Sequence, residues 1–201
     1  MMDLNEPLVE RPDWKAIVNI IPAGTRVLDL GCGDGQLLSL LLSQKDAHGK
    51  GVEQDEQKVQ NCLSQGLSVK RGNIAEGLPD YADRTFEFVI LNQVLDNPQL
   101  PLPVLNEMLR VARFGIVSFQ KSGYWRTRYE AIKEWRRKRS SSSGVPFVKA
   151  INSVQFKAAV SRLGYYVDRT IFLKGSRQVY FLPALRAQTA IFVIGGHGTH
   201  A

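Results

Sequence analysis

Three glycines at alternate positions, Gly31, Gly33 and Gly35, follow a short apolar strand pattern that ends at Leu30. An apolar helical pattern begins directly after them, at Gln36. Glycine lacks a Cβ atom and adopts positive φ without strain, so such a loop can bring backbone amides close to a bulky ligand. A helix that starts there adds free N–H groups and a partial positive charge. The pattern indicates a strand–loop–helix turn that holds a nucleoside-type cofactor.

The spacing of the glycines distinguishes two kinds of cofactor loop. A dinucleotide-binding loop carries G-x-G-x-x-G, which would place its third glycine where this chain has Gln36. Here the third glycine comes one residue earlier, and Asp29 precedes the loop. This acidic-x-G-x-G-x-G pattern resembles motif I of the class I S-adenosylmethionine (SAM) methyltransferases. A tight βα turn without a ligand is the alternative interpretation of the same glycines.

An acidic side chain at the end of the second predicted strand complements the loop. Glu53 follows Gly51 and Val52, about 20 residues beyond the glycines, where a doubly wound sheet places the carboxylate that binds ribose hydroxyls. Gln54 comes next and belongs to the same expected binding surface. The alternative for Glu53 is a carboxylate favoured by the positive end of the following helix.

Further candidates follow the third and fourth predicted strands, whose carboxyl ends meet the glycine loop at one sheet edge. The Asn73 side chain could accept from an adenine amino group while the Ile74 amide contacts a ring nitrogen. Asn92 would line the methyl-donor end. Turn formation is the alternative for both asparagines. Cys32 lies inside the glycine loop and is counted with the cofactor-binding residues, and a buried free thiol is expected for it and for Cys62.

Strand patterns alternate with helix patterns, which predicts βαβ units and a parallel sheet. The predicted strands are 26–30, 50–53, 67–71, 86–91, 115–119, 165–173 and 190–194. The predicted helices are 14–20, 35–44, 55–65, 101–112, 125–139 and 152–163, with Asp13 as N-cap of the first. We therefore predict one α/β domain over residues 1–201, with a Rossmann-like, seven-stranded, mostly parallel sheet and a C-terminal antiparallel strand. Residues 1–11 and 196–201 are expected to be flexible, and 124–151 to form a basic insert or lid.

The chain carries a net charge of +7, which favours an anionic partner but says nothing about fold. Much of the excess lies between Trp125 and Arg139. Three interpretations stay open for that segment: a solvated helix face, a protein-docking helix anchored by Trp125 and Trp135, and a contact with nucleic-acid phosphates. The last is the weakest, because stacking aromatics are few and no RNA-binding module is recognisable.

Composition also narrows the compartment and the chemistry. No apolar run is long enough to span a bilayer, and the first residues lack a signal-peptide core, so a cytoplasmic protein is expected. His197 and His200 have ligand-like spacing without an accompanying Cys or carboxylate cluster, so no metal site is expected. No catalytic base is evident. Asp96 is the carboxylate nearest the expected methyl end, and its alternative is an Asx turn.

Longer stretches resemble the MetW-like methionine biosynthesis proteins, within the class I SAM methyltransferase superfamily. The stretches that carry the resemblance are 21–35, 51–53, 88–95, 106–111 and 123–126. Motif I and Glu53 are shared across the superfamily, whereas the run from Glu107 to Val111 and the pair Trp125-Arg126 point to MetW. Two features depart from the family pattern: Asn73 stands where Asp is usual, and segment 140–151 is serine-rich.

The resemblance implies SAM binding, with S-adenosylhomocysteine as the demethylated product, in a bacterial protein of methionine biosynthesis. The implied roles are the methionyl part for Asp29, Gly31, Gly33 and Gly35, the ribose for Glu53, and the adenine for Asn73 with Ile74. A homoserine O-acyltransferase is the implied partner, and neither a membrane nor nucleic acid is expected. Three functions stay open: an accessory SAM-binding subunit of that acyltransferase, a methyltransferase of an unidentified small molecule and, least favoured, an RNA methyltransferase.

Overall fold

A computed structural model of the protein describes residues 11–92, 102–120 and 153–196. The helices are α1 (Pro12–Ile20), α2 (Gln36–Lys45), α3 (Glu56–Ser64), α4 (Leu102–Val111), α5 (Ser153–Arg162) and α6 (Pro183–Arg186), with a 3₁₀ helix at Ile74–Glu76. The strands are β1 (Arg26–Leu30), β2 (His48–Glu53), β3 (Val69–Arg71), β4 (Phe86–Asn92), β5 (Ala112–Gln120), β6 (Tyr165–Lys174), β7 (Arg177–Gln178) and β8 (Thr189–Gly196).

The eight strands in the described residues form one sheet in the order β3-β2-β1-β4-β5-β8-β6-β7. The first five pair in parallel, and β8 pairs antiparallel with both β5 and β6. The predicted α/β fold, mostly parallel with an antiparallel C-terminal strand, is confirmed. The strand count is corrected from seven to eight, because β7 has two residues and is too short to leave a periodic pattern in the sequence.

Helices cover both faces of the sheet, with an apolar core beneath each layer. The core under α4 and α5 includes Leu28 and Leu91, and the core under α1 and α2 includes Val27 and Ile90. Neighbouring residues of one strand enter opposite cores because side chains alternate across a strand. The same alternation places the charged Asp29 on the face covered by α1 and α2.

The strand order reverses between β1 and β4, and this reversal fixes where a ligand can enter. The chain passes from β1 through β2 to β3 on one side, then crosses back to continue at β4 and β5 on the other. Ligands in open α/β sheets bind at such a reversal, beyond the carboxyl ends of the strands. The glycine loop follows β1 at this point, and Asn92 ends β4 beside it.

The beginning of the described chain differs from the prediction. α1 begins at Pro12 with Arg11 as its N-cap, so the expectation that Asp13 caps this helix is wrong, and Asp13 lies within the first turn. Proline is favoured there because its missing N–H would have no helical partner. The structure describes one residue of each terminal segment that is expected to be flexible, Arg11 and Gly196. Gly196 pairs with Tyr165 in the sheet.

Candidate functional site

The glycine loop, which contains Gly31, Gly33 and Gly35, joins β1 to α2 with left-handed backbone angles. The three φ values are +68°, +58° and +76° in chain order. The Gly31 N–H donates to the Val52 carbonyl at 2.7 Å and fastens the loop to β2. A Cβ on Gly35 would lie 2.3 Å from Leu67 Cδ1, far inside van der Waals contact. The loop therefore needs glycine for its backbone angles and, at Gly35, for space as well.

The Glu53 carboxylate holds this loop against the end of β2. Its Oε2 accepts from the Gly33 N–H at 2.8 Å, and its Oε1 accepts from the amides of Gln54 at 2.9 Å and Asp55 at 3.0 Å. Glu53 thus lies beside the glycines at the strand end, where the sequence predicts it, and the exposed Gln54 contributes its backbone amide. The carboxylate can still accept further hydrogen bonds, because it offers about four lone-pair sites.

Asp29 carries a buried carboxylate at the carboxyl end of β1. Its side chain accepts no hydrogen bond and forms no ion pair within the described residues, and the residue is 3% exposed. Burial raises the pKa of the Asp29 carboxyl group to about 7, and the negative charge of Glu53 adds to the rise. Burying an unpaired charge costs free energy, which a cationic ligand group would offset. A cationic group beside Asp29 would therefore be stabilised by this carboxylate.

Cys32 and Cys62 are free thiols that pack against the glycine loop. The Cys62 thiol donates to the Gly33 carbonyl with a sulfur–oxygen distance of 3.3 Å, and Cys32 Sγ lies 3.9 Å from the same oxygen. Burial raises the pKa of both thiols above its ordinary value. Because the thiolate is the reactive form, burial disfavours reaction at both sulfurs, and the hydrogen bond from Cys62 supports the loop backbone.

Asn73 and Ile74 follow β3, next to the end of β2. Asn73 caps the 3₁₀ helix: its Oδ1 accepts from the Ala75 N–H at 3.0 Å, and its Nδ2 donates to Glu76 Oε1 at 2.9 Å. The side chain thus takes the turn-forming arrangement that the sequence leaves open. Ile74 packs, partly buried, on the core under α4 and α5. The adenine contacts of both residues stay a prediction.

Asn92, the last residue of β4, is held from two sides. Its Nδ2 donates to Asp13 Oδ2 at 3.2 Å, and its Oδ1 accepts from the Ser118 hydroxyl. Asp13 is 4% exposed and Ser118 is fully buried. Because both ends of the amide have partners, the orientation of Asn92 is fixed. Asp13 acts here as a positioning partner of Asn92.

A cleft of about 220 Å³ lies where the glycine loop, β4 and α1 meet. Its wall consists of Arg11, Trp14, Asp29, Gly31, Cys32, Gly33, Asp34, Gln36, Leu37 and Asn92. Half of the predicted site residues are among them. The others, which do not line this cleft, are Gly35, Glu53, Gln54, Asn73 and Ile74. Glu53 is nevertheless connected to the wall through its hydrogen bond with Gly33.

The sequence pattern does not predict that Arg11 and Trp14 line the cleft. Arg11 pairs with Asp13 through Nε at 3.2 Å and Nη2 at 2.7 Å, and its guanidinium lies 4.5 Å from the centre of the Trp14 ring. These contacts leave the Nη1 donors without a partner in the described part of the chain. The sequence does place a cation, a carboxylate and an aromatic residue within four positions at the start of the first helix. That these residues lie near the cleft follows only from the packing of α1.

A larger cavity of about 530 Å³ lies between α1, α2 and the β6–β7 hairpin. It shares Arg11 and Trp14 with the cleft and contains none of the residues predicted to bind a cofactor. Since neither the glycine loop nor Asp29 reaches it, the smaller cleft is the candidate cofactor site.

Residues 11–92, 102–120 and 153–196 contain neither a cluster of metal-ligating side chains nor a helix that could cross a membrane. No group of three or more His, Cys, Asp and Glu side chains among them could hold a metal ion. No helix in the same ranges has the length and apolar character needed to cross a membrane. Asp96, the basic segment 125–139, His197 and His200 lie outside these ranges.

Comparison with known proteins adds a family to this geometry. The family model described as methionine biosynthesis protein MetW matches residues 11–194. A relative from Rhodopirellula baltica, described as bifunctional methionine biosynthesis protein MetXA/MetW, is 36% identical over 132 residues, which are 62% of this chain and 21% of the relative. The chain therefore spans about a fifth of the length of that curated relative.

Solved structures share the fold at low sequence identity. A TehB-like SAM-dependent methyltransferase from Corynebacterium glutamicum has a TM-score of 0.65 at 13% identity, with 93% of this chain and 88% of that chain covered. A SAM-dependent methyltransferase from Archaeoglobus fulgidus has a TM-score of 0.64 at 15% identity, with 91% of each chain covered. At these identities the likeness shows the Rossmann-like methyltransferase fold alone.

Proposed function

The chain belongs to the MetW family of methionine biosynthesis proteins, and from that premise we propose that it is a SAM-binding accessory subunit that acts with a homoserine O-acyltransferase. The proposal has two parts, a ligand and a partner. The ligand part is argued from the cleft, and the partner part is argued from the bifunctional relative.

One observation carries the ligand part: the buried Asp29 carboxylate, which has no hydrogen-bond or ion-pair partner among the described residues, lines a cleft that also contains Arg11. The amino-acid end of SAM is zwitterionic, with an ammonium and a carboxylate on one carbon. Asp29 suits the ammonium, whose charge would lower the pKa of the Asp29 carboxyl group below its ligand-free value. The Nη1 donors of Arg11 suit the carboxylate. A dinucleotide pyrophosphate would leave Asp29 unpaired, so the cleft favours SAM.

The residues beyond the cleft wall suit the nucleoside half. Glu53 retains acceptor sites for the ribose hydroxyls after receiving three backbone amides. Gln54 follows it at the same strand end. For the adenine ring we favour the Ile74 N–H as donor, because the Asn73 side chain already bonds Ala75 and Glu76.

The methyl end is better suited to binding than to proton transfer. When bound, SAM supplies an electrophilic methyl group. We place that methyl group beside the Asn92 amide, behind which lie the Ser118 hydroxyl and the Asp13 carboxylate. The amide and the hydroxyl do not accept a proton at neutral pH, and the Asp13 oxygens already accept hydrogen bonds from Arg11 and Asn92. Methyl transfer to a weak nucleophile needs a base. This chemistry favours an accessory subunit.

A small-molecule methyltransferase is the second candidate. The observation that favours it is the fixed orientation of Asn92, which Asp13 and Ser118 hold from both sides. Transfer to a strong nucleophile needs alignment more than acid–base help. An RNA methyltransferase rests on the net charge of +7 and gains no further support from the described residues.

The proposed partner is argued from the relative from Rhodopirellula baltica, whose description names MetXA together with MetW. That protein combines MetXA and MetW in one bifunctional chain. We propose that the same pairing, with a homoserine O-acyltransferase, holds for this protein. Since methionine is the precursor of SAM, occupancy of the cleft would report pathway output to the acyltransferase.

Calorimetric titration of SAM and S-adenosylhomocysteine tests the ligand part. Asp29→Asn should weaken binding by roughly 30- to 100-fold, because the ammonium loses its charged partner. Asp46→Asn is the matched control: it removes a carboxylate from the far end of α2, is exposed, and has a left-handed backbone that Asn tolerates. Its affinity should stay within about twofold of wild type.

The same titrations with the acyltransferase present, together with its activity, test the partner part. We expect the chain to change acyltransferase activity in a SAM-dependent way without forming a methylated product. A methylated small molecule would establish the second candidate instead. If wild type binds neither ligand, with or without the acyltransferase, the SAM proposal fails.

A further inference from the structure

Three consecutive large apolar side chains are exposed after β7. Tyr180, Phe181 and Leu182 are 81%, 70% and 50% exposed. Among the large apolar side chains of the described residues, only Leu63 on α3 is comparably exposed. Contiguous exposed apolar surface marks contacts with other proteins or with membranes. We call residues 180–182 the apolar patch.

The apolar patch is carried by a loop that is fastened at both ends. The Val179 N–H donates to the Phe172 carbonyl at 2.8 Å, and the Gln188 N–H donates to the Leu173 carbonyl at 2.7 Å. Leu182 has a φ of +46°, a left-handed angle that costs free energy in a residue other than glycine. A loop already held in one conformation loses little entropy when a partner binds.

The surroundings of the apolar patch are basic. Lys174, Arg177 and Arg186 are exposed and form no ion pair within the described residues. The sequence contains no Asp or Glu in residues 169–196. An apolar centre with a cationic rim complements a protein surface that has an apolar depression and carboxylates around it. Tyr and Arg are also among the residue types most enriched in binding hot spots.

The apolar patch lies at the same sheet edge as the cleft. Because β8 is antiparallel to both β5 and β6, β6 runs in the same direction as β1 and β4. The end of β6 therefore meets the edge that carries the glycine loop. Three strand intervals separate β6 from β4, which is about 14 Å at the usual strand spacing. A partner bound here would lie beside the cofactor site.

We propose that residues 174–186 are the surface on which the homoserine O-acyltransferase docks, through an acidic and apolar patch of that enzyme. The choice of partner rests on the proposed function, and the location rests on exposure, charge and sheet topology. The bifunctional relative, which combines MetXA and MetW, supports a protein occupant over a lipid surface.

The test compares the affinity of wild type and of Tyr180→Ser/Phe181→Ser for the purified acyltransferase, measured by biolayer interferometry. Both positions are exposed, so the double variant should fold as wild type does. We expect it to bind at least about tenfold more weakly. Arg186→Glu should slow association at low salt, with an effect that shrinks as salt is raised.

Leu63→Ser is the matched control, because it removes exposed apolar surface from α3 and should leave the affinity within about twofold. The inference is overturned if the double variant binds as tightly as wild type, if wild type does not bind the acyltransferase, or if the patch binds anionic phosphatidylglycerol vesicles instead. SAM titration of the double variant separates the two proposals, since the patch lies outside the cleft and SAM affinity should be unchanged.

Discussion

Two acidic residues, Asp29 and Glu107, respond to the fold in opposite ways. Burial without a partner raises the pKa of the Asp29 carboxyl group to about 7. Glu107 accepts hydrogen bonds from the Arg110 side chain and the Leu78 N–H, and these lower its pKa to about 2. The fold provides the second carboxylate with hydrogen-bond donors, and in the described residues it provides none for the first.

Arg110, the partner of Glu107, connects α4 to the segment between β3 and β4. Its guanidinium donates to Glu107, to the carbonyls of Tyr81 and Leu78 at 2.9 Å, and to Asp83 at 2.8 Å. α4 thereby fastens the segment between β3 and β4. The run that distinguishes one family in the sequence is thus a structural attachment, whereas the motif shared by the whole superfamily forms the candidate site.

Asp29→Asn removes the carboxylate that lacks hydrogen-bond donors in the described residues, and it has the largest expected effect on the free energy of unfolding. The ordinary carboxyl pKa of 3.8 and the folded value of about 7 differ by about three units, equivalent to as much as about 4 kcal/mol. Because the folded pKa is raised, wild type loses this stability as pH rises from about 4 to about 7. The variant should therefore gain up to that amount over wild type at pH 8 and nothing near pH 4. Urea denaturation measures both differences.

An Asp29→Asn variant no more stable than wild type at pH 8 would mean that the carboxylate already has a stabilising partner. Asp29 and Glu107 would then no longer differ in having a stabilising partner. A gain in stability together with the expected loss of SAM affinity would support the contrast between the two carboxylates. The Asp29 side chain would then both destabilise the ligand-free protein and bind the ligand.

Arg110→Met tests the satisfied side. Methionine keeps apolar contacts, but Glu107 retains only the Leu78 N–H of its donors in the described residues, and two carbonyls lose their donor. The free energy of unfolding should therefore fall by about 3 kcal/mol at pH 7. SAM affinity should stay within about twofold, as calorimetry would show. The loss should shrink in acid, because the lowered folded pKa of Glu107 stabilises wild type above about 4.5 and this is lost as pH falls toward 2.

Lys58→Met is the control for Arg110→Met, since it removes an exposed cation from α3 and should change stability by less than about 0.5 kcal/mol. If Arg110→Met were equally mild, the side-chain attachment would contribute little to the fold. If it also abolished SAM binding, the two regions would be coupled and the division drawn above would fail.

Two glycines, one in the glycine loop and one after α3, separate the cost of a left-handed backbone angle from the cost of packing. Gly35 and Gly66 have φ values of +76° and +78°, but a Cβ would meet Leu67 at 2.3 Å only at Gly35, and open space at Gly66. Gly35→Ala should cost about 2–3 kcal/mol and Gly66→Ala about 1 kcal/mol in urea denaturation. Equal costs would mean that backbone angle, without packing, makes glycine necessary in the loop.

Much of the fold could be predicted from local pattern. The glycine spacing, the strand ending in Glu53 and the alternation of elements all reflect short-range periodicity, and the structure reproduces them. β5 is longer than predicted because α4 runs into it at Val111–Ala112 without a turn residue to mark the boundary. β7 was missed because two residues carry no period.

The candidate site was less predictable, because packing and local competition decide it. Arg11 and Trp14 reach the cleft because α1 packs over the sheet reversal, and no local pattern in the sequence encodes that packing. Asn73 shows the competing effect: its side chain bonds the neighbouring Ala75 amide, and a short polar side chain commonly does so in a turn.

The position of β8 has a consequence for synthesis. Residues 189–196 pair with β5 on one side and β6 on the other, so the last described strand lies inside the sheet. While a chain is still on the ribosome, β5 and β6 have no strand to join them until this stretch emerges. Their unpaired edges are then exposed to other nascent chains. We therefore expect the nascent chain to become resistant to aggregation only after residues 189–196 have left the ribosome.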